Sequence, residues 1–112
     1  FLVAELGGVI VGSVSVAIVM NNRRFLHRAV MGIVVKQSCW GKGIGKRLME
    51  ECILWCKEKG IEQLELDVVS GNKRGIALYE SFGFKAFGTK KNAMKYADGT
   101  YADETFMILF LN

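Results

Sequence analysis

Proline is absent from this chain of 112 residues, and histidine occurs once, at His27. Without proline, turns must rely on asparagine and on the 13 glycines. Cysteine is scarce as well: Cys39, Cys52 and Cys56 are an odd count with no disulfide-scaffold spacing, which favours a reducing, cytoplasmic setting. Cys52 and Cys56 stand four apart, but no second pair accompanies them. Buried structural thiols are therefore expected rather than a metal site. No charge sign dominates, since 15 Lys and Arg against 11 Asp and Glu leave a formal net charge of +4. That excess suits an anionic ligand but is too thin for nucleic acid. The apolar stretch over residues 1–20 lacks a basic start, contains Glu5 and is divided by Gly7-Gly8, so neither a membrane span nor a signal peptide is expected.

What is present is the composition of a globular fold, with 51% hydrophobic and 23% charged residues. The length suits one domain over residues 1–112. Phe1–Leu6 and Val9–Met20 are β-rich runs joined by Gly7-Gly8, a hairpin signal. In the second run Val14, Val16 and Ile18 alternate with Ser13, Ser15 and Ala17, predicting one packed face. Arg28–Lys36 is almost continuously apolar, as a covered central strand would be. Ile44–Lys59 reads as a helix, because Ile44, Leu48, Cys52, Trp55 and Cys56 form one stripe and Gly60 can stop it. Glu62–Val69 alternates as a strand. Asn72 can cap a helix over Lys73–Phe82, ended by Gly83. Phe84–Thr89 and Thr105–Leu111 close the order as strands, separated by a polar stretch with Asp98-Gly99. The pattern is that of a mixed α/β layered domain.

Two segments carry chemistry. Trp40-Gly-Lys-Gly-Ile-Gly-Lys46 lies between the apolar strand and the amphipathic helix. A helix start leaves backbone N–H groups unpaired and carries partial positive charge. Gly41, Gly43 and Gly45 remove Cβ atoms from the approach, and Lys42 and Lys46 add charge, so a phosphate or pyrophosphate is the expected ligand. A P-loop is excluded because Trp40 stands where its first glycine belongs and Arg47 replaces its Ser or Thr. A dinucleotide fingerprint fails at Lys46, where its third glycine is required. A turn that merely permits tight packing is the bland alternative. In the second segment, Asn72 and Tyr79 are seven apart and share one helix face. There Asn72 is either a polar contact or only a cap, and Tyr79 either a proton donor or a core aromatic with a wet tip.

Taken together, the apolar strand, the Gly-x-Gly-x-Gly helix start, the alternating strand and the run NKRGIALYESFGF resemble the GNAT superfamily of N-acetyltransferases. The family's first motif opens with Gln or Arg, where this chain has Trp40. The resemblance covers essentially all 112 residues and implies an acyl-CoA N-acyltransferase-like fold. The family's N-terminal strand and the two helices after it are expected to be missing from this chain.

The resemblance further implies acetyl-CoA as co-substrate, with no metal. Its pantetheine would lie between the apolar strand and the strand over residues 62–69, pairing with the backbone of Ile33, Val34 and Val35. The diphosphate would meet Trp40, Gly41, Lys42, Gly43, Ile44, Gly45 and Lys46. Asn72 would contact the pantetheine arm, and Tyr79 would act as general acid to the thiolate. The resemblance also places Met31 where many relatives carry a carboxylate, which leaves His27, or Glu5, to serve as base. The acceptor would be a small-molecule or protein amine. A non-catalytic acyl-CoA-binding module is the rival reading, encouraged by Met31. A nucleic-acid-binding domain, suggested by Arg23-Arg24, Arg28 and Lys90-Lys91, lacks aromatic interleaving. The last strand is apolar on both faces, which makes a homodimer one way of covering it.

Overall fold

The computed structural model describes residues 2–6 and 8–111; Phe1, Gly7 and Asn112, and with Gly7 half of the expected first turn, lie outside the described residues. Six strands form one mixed sheet: β1 (Leu2–Leu6), β2 (Val9–Ile18), β3 (Arg28–Val35), β4 (Gln63–Val69), β5 (Lys85–Lys95) and β6 (Tyr101–Phe110). Their spatial order is β1-β2-β3-β4-β6-β5, antiparallel except for the parallel pair β3–β4. Two helices, α1 (Ile44–Glu58) and α2 (Lys73–Ser81), supply the crossovers before and after β4.

The alternation expected in β2 follows from the pleat: Val14 and Val16 pair with Ile33 and Met31 and turn toward the helices, while Ser13 and Ser15 face away. Met31, Leu64, Leu66 and Met107 of the same sheet face meet Leu48, Met49, Cys52 and Cys56 of α1 in one buried cluster that also holds Tyr79 and Phe84. Cys52 and Cys56 are buried free thiols, as expected of structural cysteines. Met49 rather than Trp55 completes the buried stripe of α1. Trp55 falls at the stripe's border, 44% exposed, with the Lys59 ammonium 5.9 Å above its ring. Gly60 and Gly83 adopt positive φ angles of 76° and 96° just past the two helix ends, a conformation that costs a side-chain-bearing residue about 1 kcal/mol or more.

The polar stretch after Thr89 differs from expectation. It is regular: β5 runs to Lys95 and β6 starts at Tyr101, so the two arms form a long hairpin around Asp98-Gly99. Most of β5 is exposed, so polar residues occupy both faces and no apolar period betrays the strand. Asp98 closes the turn by accepting hydrogen bonds from the Thr100 N–H at 3.0 Å and the Thr100 hydroxyl at 2.7 Å. A bulge at Asn92, with φ 54°, is tied to β6 where the Asn92 N–H donates to Asp103 Oδ1 at 2.8 Å. The last strand buries Met107 on one face, while on the other Phe106 and Ile108 are half-buried and Phe110 is 61% exposed.

Candidate active site

β3 and β4 are paired only at their N-terminal ends, Arg28 to Val30 against Gln63 to Glu65. The closed end is bolted twice. The His27 carbonyl accepts from the N–H groups of Glu62 and Gln63 at 2.8 and 3.1 Å, and Arg28 Nη2 donates to both carboxylate oxygens of Glu65 at 3.0 and 3.1 Å. Beyond Val30 the strands part. Backbone direction alternates along a strand, and the Arg28 carbonyl and Lys36 N–H both bond to β2. The backbone groups of Met31, Ile33 and Val35 therefore face the gap. Ser70 N–H and the Glu62 carbonyl bond to β6-side partners, which by the same alternation turns the backbone groups of Asp67 and Val69 toward the gap from β4.

A cavity of about 500 Å³ lies along the open part of β3 and between the start of α1 and α2. It brings together Ile33, Val35, Trp40, Gly41, Gly43, Ile44, Gly45, Lys46, Asn72 and Tyr79, all expected from the sequence, and adds Cys39, Arg74 and Leu78. Three expected residues stand elsewhere. Val34 directs its backbone to β2 and leaves its side chain 69% exposed. Lys42 lines a separate cavity beside β1, together with Glu5. His27 sits at the closed end of the wedge, with at least three residues of paired strand between it and the opening.

The turn before α1 explains two of its glycines by backbone conformation. Gly41 and Gly43 have φ angles of 81° and 77°, and a Cβ on Gly43 would meet nothing within 4 Å. Gly45 serves packing instead, because a Cβ there would stand 3.3 Å from Leu78 Cδ2. Glycine is thus required by left-handed φ at two positions and by close helix approach at the third. The first helical bond runs from the Arg47 N–H to the Gly43 carbonyl at 3.0 Å, and no side chain caps this end. The amides of Ile44, Gly45 and Lys46 therefore lack intrahelical partners, with the Lys46 ammonium beside them. Acidic residues are missing from the first turn. Such a set of donors fits a phosphate.

Asn72 is a helix cap: its Oδ1 accepts from the Gly75 N–H at 3.0 Å. Its Nδ2 has no partner among the described residues and remains a donor at the cavity wall. Tyr79 is 8% exposed, with its ring edge-on to Phe84 at 6.0 Å. Its hydroxyl has no hydrogen-bond partner among the described residues, and the residue lines the cavity. Burial raises the Tyr79 phenol above its ordinary range, and the negative charge of Asp67 adds to that. Asp67 went unnoticed in the sequence because it occupies an outward position of an alternating strand, where a carboxylate needs no explanation. Beside it on β6 stands Glu104, whose carboxyl is raised above the ordinary glutamate range by the neighbouring Asp67 carboxyl. Cys39 is buried on the cavity wall, in contact with the Ser38 hydroxyl at 3.9 Å. Trp40 donates its indole N–H to the Val35 carbonyl at 3.0 Å, so one of the expected pantetheine acceptors already has a partner.

Comparison with known proteins places this arrangement. The family model described as "Acetyltransferase (GNAT) family" matches residues 1–84. The Escherichia coli K12 ribosomal protein bS18-alanine N-acetyltransferase is 33% identical over 70 residues, which are 62% of this chain and 47% of that protein. An N-acetyltransferase structure from Staphylococcus aureus Mu50 superposes with a TM-score of 0.91 at 27% identity, covering 98% of this chain and 66% of that one. A phosphinothricin acetyltransferase from Sinorhizobium meliloti, solved in complex with AcCoA, gives a TM-score of 0.86 at 25% identity over 96% of this chain and 58% of that one. The chain spans about half the length of the curated relatives it matches.

Proposed function

Because this chain belongs to the GNAT family of acetyltransferases, we propose that it holds acetyl-CoA in the wedge between β3 and β4 and transfers the acetyl group to a primary amine. The observation that carries this reading is the opening of the parallel pair beyond Val30, beside a helix start with free amides and with Tyr79 on the same cavity. The backbone of Ile33 offers pairing groups for the pantetheine, the amides of Ile44 to Lys46 receive phosphate oxygens, and Asn72 Nδ2 contacts the arm. Acetyl-CoA supplies the thioester.

This chain's residues then manage protons. A lysine-type amine has a reference pKa near 10.4 and is mostly protonated at neutral pH, so it needs a proton acceptor. We assign that role to Asp67 in place of His27 or Glu5: its backbone borders the gap on β4, its charge reaches Tyr79, and the Glu104 carboxyl is its neighbour on β6. Tyr79 gives its proton to the departing sulfur and regains one from water. Its raised pKa keeps that proton in place at neutral pH. No covalent intermediate on the protein is needed, so Cys39 stays out of the reaction.

The acceptor is a small-molecule or protein amine, approaching from the sheet face that bears Asp67 and Glu104. A cytoplasmic setting and a single domain belong to the same reading. Thiol release from acetyl-CoA, measured with simple amines and with a peptide beginning in alanine, tests it. Release dependent on an amine is the expected result. Tight acetyl-CoA binding with no release for any amine would instead favour the non-catalytic acyl-CoA-binding module.

A further inference from the structure

Two arginines near the cavity and the sheet are already neutralised, Arg28 by Glu65 at 3.0 Å and Arg47 by Glu51 at 3.1 Å. Arg74, in the first turn of α2, has no carboxylate partner among the described residues. Its guanidinium lies instead over the Trp40 ring, 5.1 Å from the centroid, and it lines the same cavity as the free amides of α1. Trp40 is held in turn by the bond from its indole N–H to the Val35 carbonyl. The guanidinium also overhangs the glycine turn: Arg74 Nη2 is 3.9 Å from where a Cβ of Gly41 would be.

From this geometry we propose that Arg74, shelved on the Trp40 ring, clamps the diphosphate of acetyl-CoA from the α2 side, opposite the α1 amides and Lys46. The inference rests on the acetyl-CoA reading above. A diphosphate presents paired oxygens that match the planar fork of a guanidinium. An arginine already committed to a carboxylate would have to give up that partner first. Arg74 gives up only a contact with an aromatic face, and a cation–π contact at an exposed site is weak. Trp40 is a positioning residue here, since it narrows the directions in which an exposed arginine points. Gly41 keeps the space between the guanidinium and the turn clear.

Calorimetry with three probes tests the assignment: acetyl-CoA, acetyl-3′-dephospho-CoA and acetyl-pantetheine. Arg74→Ala is expected to weaken acetyl-CoA binding roughly 10- to 100-fold, the scale of a hydrogen bond to a charged group. The loss should be as large for the 3′-dephospho compound and absent for acetyl-pantetheine. Arg74→Lys should recover part of it, and Trp40→Ala should show a smaller loss with the same ligand dependence. Equal loss for acetyl-pantetheine would mean a structural role, and a loss confined to the 3′-phosphorylated compound would move Arg74 to another phosphate; either overturns the proposal. Unchanged acetyl-CoA affinity in Arg74→Ala overturns it while leaving the enzyme reading intact. Wild-type protein that binds neither acetyl-CoA nor acetyl-pantetheine overturns both.

Discussion

Tyr79 on α2 lines the cavity, and the charge of Asp67 on β4 reaches it. If Tyr79 is the acid, Tyr79→Phe lowers kcat roughly 10²-fold, the scale of losing one proton donor, with little change in acetyl-CoA affinity. Unchanged kcat would remove Tyr79 from the mechanism. The acid must be protonated to act, and its pKa is raised by burial and by Asp67. The alkaline fall in kcat assigned to it should therefore begin above the usual tyrosine value of about 10 and vanish in Tyr79→Phe. Gly43 gives a second residue-level test. At φ 77° a leucine there is strained by about 1–2 kcal/mol, which a folded domain survives, while its side chain stands beside the phosphate amides. Gly43→Leu should melt slightly lower and bind acetyl-CoA more weakly; unaltered affinity by calorimetry would count against the cradle.

At the scale of elements, α1 does two jobs with opposite ends. Its N-terminus offers uncapped amides to the cavity, and its buried stripe anchors it to the sheet. Leu48 is 3% exposed, so Leu48→Ala should cost about 2–5 kcal/mol in denaturant unfolding. A loss well below that range would mean the helix is not fixed by this stripe. The outer part of the β5–β6 hairpin, over residues 90–104, has almost no core and depends on local bonds. Its Asp98 carboxyl is held below the ordinary range by the Thr100 hydroxyl and N–H. A depressed carboxylate stabilises above its unfolded pKa, and that contribution is lost as pH falls through the folded value. The protection factor of the Thr100 amide, taken against the intrinsic exchange rate at each pH, should drop only on strong acidification, and Asp98→Ala should show the reduced protection at neutral pH. These local devices were legible early: the alternation of β2, the apolar run of β3, the caps at Asn72, Gly60 and Gly83. The outer parts of the hairpin arms, residues 90–95 and 101–104, were not, because strands wet on both faces carry no apolar period.

For the whole molecule, the deciding feature is a parallel pair that starts closed and ends open. Arg28–Glu65 and the doubly bonded His27 carbonyl hold one end, while α1 and α2 approach within side-chain contact at Gly45 and Leu78. Tyr79 also links the site to global stability. A group whose folded pKa is raised contributes stability that is complete below its unfolded value and is lost as pH rises through the folded one. Alkaline unfolding near and above pH 10 should thus be steeper in wild type than in Tyr79→Phe, measured by denaturant midpoints. Residue order alone determined the elements, the glycine-rich helix start and the shared face of Asn72 and Tyr79, because those follow from periods and caps within a few residues. The tertiary structure alone decided where β3 and β4 part, that Val34, Lys42 and His27 stand away from the cavity, that Arg74 stands on it, and that the charge of Asp67 reaches Tyr79. Those outcomes depend on contacts between distant segments, and backbone direction, charge pairing and burial at such contacts leave no local period to read.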